Sequence, residues 1–244
     1  MTAIREPASG TALPAGLAED LAAASRVLAR RLAGGGTLWC ASPASPHHAQ
    51  HVAVEFVHPV IVGKPALAAV ALPPHDLTAV ARANTRPGDV LVVIGPAGSA
   101  GVLDLVRRTP AWGVTSVWIG GGQRPAAGAA DHVLWLPEKS AEHDGGFILL
   151  YHLLWELSHV WLEHPGLLQP DPACEGPVCI TCSDEGRLAE VVEVHGTSAT
   201  VRTDRGTEDV DLALVGATAV HDLLVVHAGM AITRLDGPPP DGAA

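Results

Sequence analysis

The sequence predicts two domains of different class: an α/β domain built on a doubly wound parallel sheet, then a small all-β, OB-like barrel. Three observations predict this. Up to about residue 163, short apolar runs alternate with segments of helical spacing, the pattern of parallel strands joined by crossover helices. Between His164 and Pro177, four prolines and two glycines interrupt the pattern, as a linker does. Beyond it, β-branched segments alternate in polarity and are separated by turn residues, as in a compact barrel.

Residues 1–14 are polar and contain Pro and Gly, and are expected to form a disordered tail. The α/β domain is expected over 15–165. In it, residues 15–33 (AGLAEDLAAASRVLARRLA) carry Leu and Ala at helical spacing, and Gly34–Gly36 stop the helix. Buried strands are expected at Thr37–Ala41, Leu67–Leu72, Asp89–Ile94, Thr115–Ile119 and His132–Leu136. Helices are expected near 46–57, 75–84 and 99–108, and a long apolar helix over roughly 143–163 closes the unit. A linker at 166–178 leads to the barrel at 179–236, with strands at 187–194, 198–204, 207–215 and 222–235. The turn signals are HGTS at 195–198 and DRG at 204–206. Residues 237–244 (GPPPDGAA) are expected to form a second disordered tail.

Composition excludes several function classes. The formal net charge is −11, and an acidic surface repels phosphate backbones, so no nucleic-acid partner is expected. No run approaches the ~18 apolar residues of a membrane span, and no basic segment followed by an apolar one opens the chain. A cytoplasmic protein is therefore expected. In that compartment its four cysteines read as thiols or metal ligands.

The barrel carries two chemical features: CITCSD, Cys179 to Asp184, and LLVVHAGMAI, Leu223 to Ile232. Thiolates and imidazoles suit iron and zinc. CITCSDEGRLAEVVEV, EDVDLALVGA and DLLVVHAGMAITRLD together resemble the HypC/HybG/HupF chaperones of [NiFe]-hydrogenase maturation. The resemblance implies a carrier of the iron fragment with its cyanide and carbonyl ligands. It implies a HypD-type maturation protein and the hydrogenase large-subunit precursor as partners. The family's essential cysteine maps onto Cys179 and its histidine onto His227, with Cys182 as an additional thiol. Three departures stand out: Cys179 follows Val178 rather than an initiator Met, Ser183 replaces the usual proline, and His221 replaces a glycine. Two other readings stay open. Cys174-x4-Cys179-x2-Cys182 has a plant-ferredoxin ligand spacing, and Cys179-x2-Cys182 is a redox-dithiol spacing. His227 also reads as an ordinary structural histidine.

Residues 36–163 resemble the SIS (sugar isomerase) fold, closest to its phosphoheptose-isomerase and DiaA-like branch. The likeness runs through GTLWCASPASPHHAQHVAVEF, RPGDVLVVIGPAGSAGV and YHLLWELSHVWLE, with a shortening between about Pro73 and Arg86. It implies a divalent metal, zinc or another, held by His51 and Glu55 on one helix and by His152 on the closing helix. Asp144 stands where the family has an amide, with His143 beside it. In an isomerase, Glu55 or His152 moves the proton between the carbonyl and hydroxyl carbons. The bland alternative for His51 and Glu55 is a helix-face pair of about 0.2–0.5 kcal/mol. The two ligand loops, ASPASPHH with Ser45 and GPAGSAG with Ser99, offer few donors. Pro43, Pro46 and Pro96 remove backbone N–H groups. A degenerate site for a carbohydrate derivative follows.

His152, Glu156, His159 and Glu163 form one helical stripe, which reads as a second metal face, a solvated face or a subunit contact. Trp155 and Trp161 among leucines favour a homo-oligomer through this helix. Two functions compete: a non-enzymatic maturation chaperone whose SIS-like domain oligomerises or binds a ligand, and a metal-dependent sugar-phosphate isomerase. A regulatory scaffold is the third possibility.

Overall fold

The computed structural model describes residues 16–137, 145–168 and 186–235. Cys179, Cys182 and Asp144, the two tails and most of the expected linker lie outside the described residues.

The first unit runs α1 (Leu17–Ala33), β1 (Leu38–Ala41), α2 (Pro46–Val57), β2 (Ala69–Ala71), α3 (Leu77–Asn84), β3 (Val90–Ile94), α4 (Ala100–Arg108), a 3-10 turn (Thr109–Trp112), β4 (Thr115–Gly121), β5 (His132–Leu136) and α5 (Gly146–Glu163). Its five strands pair in parallel in the order β2-β1-β3-β4-β5. Every residue of β3 is buried, because helices cover both faces of a parallel sheet and leave a central strand no polar side. On one face α1, α2 and α5 contribute Leu28, Phe56, Leu150 and Leu154 to the core. On the other, α3, α4 and the 3-10 turn contribute Ala81, Leu105 and Trp112. The sheet is doubly wound, and its order reverses between β1 and β3, which is where such sheets form their crevice.

Close packing at β4 requires a glycine. A Cβ on Gly120 would overlap the indole of Trp135 and approach the Gly95 carbonyl to 2.7 Å. We expect Gly120→Ala to cost about 1–3 kcal/mol by overpacking; a thermal melt indistinguishable from wild type would refute this.

At the edge of the sheet His132 is held below the usual imidazole range. Burial is the first cause, and the charges of Asp131 and Asp20 oppose it only in part. The unfolded chain therefore binds a proton that the fold resists. Stability attributable to this residue falls as pH drops below about 6.5, the ordinary histidine value. A His132→Gln variant is expected to lose less stability than wild type between pH 7 and 5.5, as urea midpoints will report.

The second unit comprises β6 (Arg187–His195), β7 (Ser198–Thr203), β8 (Gly206–Asp211), β9 (Leu223–His227) and β10 (Met230–Arg234). They form a closed barrel in the order β10-β8-β7-β6-β9. A parallel β10–β8 contact at Met230 and Asp211 closes it. Small interior residues such as Ala189, Val191, Ala199, Val201, Val226 and Ala231 fill its narrow lumen. The run expected as one strand over 222–235 is split. Ala228 and Gly229 take φ of 49° and 78° and turn the chain back.

The barrel is docked on the sheet face that carries α3 and α4, where Leu188 and Leu223 join that core. Glu190 of β6 is 2% exposed. Its Oε1 accepts hydrogen bonds from Arg82 Nε and Arg108 Nη1, both at 2.9 Å, and its Oε2 accepts one from Trp112 Nε1 at 2.7 Å. Arg202 of β7 donates to the carbonyls of Arg82 and Thr85, each at 2.9 Å. The guanidinium groups of Arg82 and Arg202 both lie within 6 Å of the Trp112 ring, at 5.9 and 5.8 Å. One buried carboxylate thus ties three side chains of the α/β unit to the barrel. Among the described residues no helix is long and apolar enough to cross a membrane.

Candidate functional site

α2 is preceded by Ser45 at its N-cap and opens with Pro46 in its first turn, a position that costs proline no hydrogen bond. His51 and Glu55 are one turn apart on the face that meets α5. α5 is fixed against α2 by Trp155, whose Nε1 donates to the Glu55 carbonyl at 2.8 Å. That contact sets the helix register and brings His152 over His51.

His51 Nε2 lies 3.3 Å from Glu55 Oε1 and 3.3 Å from His152 Nε2, and His152 Nε2 lies 3.7 Å from Glu55 Oε1. A tetrahedral ion with ligand bonds of about 2.0–2.1 Å sets its ligand atoms about 3.4 Å apart. The three atoms match one face of such a tetrahedron. Two imidazole nitrogens and a carboxylate oxygen at these separations need a shared proton or a cation between them. The three residues are the metal-capable cluster among the described residues. They fit a zinc-like ion with an open position, which would polarise a carbonyl or activate water.

Tyr151 supports the cluster, and the sequence reading missed it. Its hydroxyl is 3.0 Å from His51 Nδ1. With Nδ1–H donating to that oxygen, the Nε2 lone pair faces the cluster, the orientation a ligand needs. Burial, and then the charge of Glu55, push the Tyr151 phenol up to about 12, so it keeps its proton across the physiological range. The only sequence signal was its place beside His152. A cavity of about 350 Å3 opens next to the cluster, between Val60, Leu149, Leu153 and Trp155.

Ser45 and Ser99 stand at the N-caps of α2 and α4, beyond the C-terminal ends of the adjacent strands β1 and β3. This is the sheet's switch point, yet neither hydroxyl caps its own helix. His227 ends β9 half-buried, at the turn into β10. It stands on the barrel, across the sheet from α2 and α5, so one chain does not bring it to the metal-capable cluster.

The helical stripe divides. His152 joins the cluster. His159 is fully buried, with Nδ1 at 3.0 Å from the Trp155 carbonyl and Nε2 at 3.2 Å from the Pro65 carbonyl. Glu163 accepts a hydrogen bond from Lys64 at 2.7 Å, which holds its carboxyl below the usual range. These contacts do not form a second metal face. Trp155 is likewise a core residue, 5% exposed within one chain, and Trp161 donates to Ser25 Oγ at 3.0 Å. The Trp155 indole thus serves intrachain packing, which corrects the interface expected for it, while Trp161 stays half-buried.

The model of the HupF/HypC family matches residues 188–238. The match takes in the barrel strands and His227 and begins after Cys179 and Cys182. The chain is 32% identical over 143 residues to a phosphoheptose isomerase of Solidesulfovibrio magneticus, covering 52% of this chain and 70% of that protein. Similar solved structures include a phosphoheptose isomerase from Francisella tularensis, with a TM-score of 0.49 and 21% identity over 62% of this chain and 88% of that one. Another is the C-terminal domain of glucosamine-fructose-6-phosphate aminotransferase from the same organism, with a TM-score of 0.41 and 12% identity over 60% and 40%. On the sequence match, the chain belongs to the phosphoheptose isomerase, or SIS-type, family through its α/β domain, and the barrel behind that domain matches the HupF/HypC family model.

Proposed function

We propose that the protein is a [NiFe]-hydrogenase maturation chaperone. The observation that carries this reading is the closed barrel with its HupF/HypC match. Cys179 would hold the iron fragment transiently, with His227 and Cys182 as the further carrier residues that the resemblance implies. A HypD-type protein would load it, and the large-subunit precursor would receive it. A thiolate on a segment leading into a rigid barrel can release its metal by exchange, whereas a closed four-ligand shell retains it. In a cytoplasm that makes a [NiFe]-hydrogenase, deletion of the gene is expected to abolish hydrogenase activity. Wild type would restore it and Cys179→Ala would not; restoration by Cys179→Ala would remove the proposal.

The SIS-type domain serves here as an oligomerisation unit. Val60, in the loop after α2, is 82% exposed and Leu149 of α5 52% exposed beside the cluster, and Val54 of α2 and Val160 of α5 are exposed as well. Val60 and Leu149 line one cavity, and exposed apolar surface of this kind marks an interface. Leu149→Glu is expected to shift the protein from a homo-oligomer to a monomer in light scattering; an unchanged mass would place the contact elsewhere.

A second reading rests on a separate observation, the tetrahedral spacing of His51, Glu55 and His152. It makes the domain a metal-dependent sugar-phosphate isomerase, with Glu55 or His152 moving the proton. Sedoheptulose 7-phosphate supplied with zinc or manganese would then give a new aldose phosphate. Absence of turnover would leave the cluster as a binding site only.

A further inference from the structure

At the N-terminal edge of the parallel sheet, the end away from Ser45 and Ser99, lies a cavity of about 460 Å3. Arg30 and Arg31 enter it from the last turn of α1, and Arg86 from the turn before β3. Gly34–Gly36, Pro87 and Gly88 form its floor. Among the described residues no ion pair or hydrogen bond engages any of the three guanidinium groups. Elsewhere in the chain, Arg82, Arg108, Arg124, Arg187 and Arg234 each reach a carboxylate. The cluster of arginines runs against the composition, where 26 acidic residues outnumber 15 basic ones.

Asp89, the acid in the cavity wall, does not neutralise the arginines. It is 6% exposed. Its Oδ1 accepts from Thr37 N at 2.8 Å, and its Oδ2 from Arg86 N at 2.8 Å and Trp39 Nε1 at 2.9 Å. The carboxylate is occupied with closing the turn. The α1 dipole favours basic residues at that helix end, which accounts for Arg30 and Arg31. It accounts neither for Arg86, on another element, nor for the cavity they share.

A planar guanidinium fork matches phosphate oxygens in pairs, and the volume falls in the usual range of roughly 300–1,000 Å3 for small-molecule sites. A second cleft, of about 280 Å3, shares Arg31, Pro87 and Gly88 with the first and ends on Asp131 and on Asp204 of the barrel. It gives room for a hydroxyl-bearing remainder. We propose that this cavity binds a phosphorylated small molecule, with the phosphate held by Arg30, Arg31 and Arg86. The site is separate from the metal-capable cluster. Because Asp204 belongs to the barrel, occupancy bears on both domains.

The test is calorimetric titration of the full chain in EDTA with inorganic phosphate, glucose 6-phosphate and ADP. Arg31→Ala/Arg86→Ala and His51→Ala serve as variants. Arg31 and Arg86 are exposed, so an unchanged melting temperature in the double variant verifies its fold. The expected result is that a phosphate ester binds wild type and His51→Ala equally, and binds the double variant about 10- to 100-fold more weakly. Inorganic phosphate binding as tightly as the esters would support the arginine site while making free phosphate its ligand. No binding by any of the three, or equal binding by the double variant, would overturn the proposal. Loss of binding in His51→Ala would overturn it too, by moving the ligand to the cluster.

Discussion

Glu190→Ala is expected to destabilise the protein by about 3–5 kcal/mol, because it leaves the Arg82 guanidinium and the Trp112 indole N–H without their acceptor and takes one carboxylate from Arg108, which keeps Asp104 and the His221 carbonyl. For a chain of this size, that is a loss of roughly 6–20 °C in melting temperature. The side chains of Arg82 and Arg108 are only 21% and 11% exposed, so water recovers little of the lost interaction. Glu190→Gln keeps the shape and an acceptor for Trp112, and is expected to fall between the two. The change would also loosen the barrel from the sheet, seen as faster amide exchange in β6 and in the Thr109–Trp112 turn. A melt within 2 °C of wild type for Glu190→Ala would show that the domains are held by Leu188, Leu223 and the arginine-to-carbonyl hydrogen bonds instead.

The second large effect concerns the cluster on α2 and α5. Wild type is expected to bind one zinc ion, measured by competition with a coloured chelator, and His51→Ala or His152→Ala to abolish binding. Tyr151→Phe removes the oxygen that orients His51 and is expected to weaken binding by about 10- to 100-fold. Affinity should fall as the pH is lowered, because protons compete for the same nitrogen and carboxylate lone pairs. Both imidazoles are about two-fifths exposed, at 39% and 44%, so their loss leaves folding intact and the result interpretable. Undiminished zinc binding in His51→Ala would reduce the cluster to a hydrogen-bonded surface group.

The secondary structure was legible because the apolar periodicity is strong. The five strands of the sheet fall within a few residues of their expected positions, and β5 matches in full. The β9–β10 turn was less visible, since His227-Ala228-Gly229 interrupts an otherwise apolar run by a single glycine. Cluster membership for His51, Glu55 and His152 was legible from an i, i+4 pair and a family likeness. The domain contact was not. Glu190 meets Arg82, Arg108 and Trp112 across 78 to 108 residues of sequence, and nothing local marks such a partner. Trp155 misled for a related reason: an indole among leucines reads as an interface, and only its bond to the Glu55 carbonyl shows that it belongs inside.

The placement of the two sites shapes the functional account. The barrel occupies one face of the sheet, and the cluster the other. His227 on the barrel and an ion on α2 and α5 would therefore stand on opposite faces of the sheet within one chain. The carrier role can be measured on its own. The most direct measurement is the infrared spectrum, in the cyanide and carbonyl stretching region, of the complex purified anaerobically after co-expression with a HypD-type partner. The account predicts bands that persist in His51→Ala and vanish in Cys179→Ala. A stable complex without bands, or bands that survive in Cys179→Ala, would contradict it.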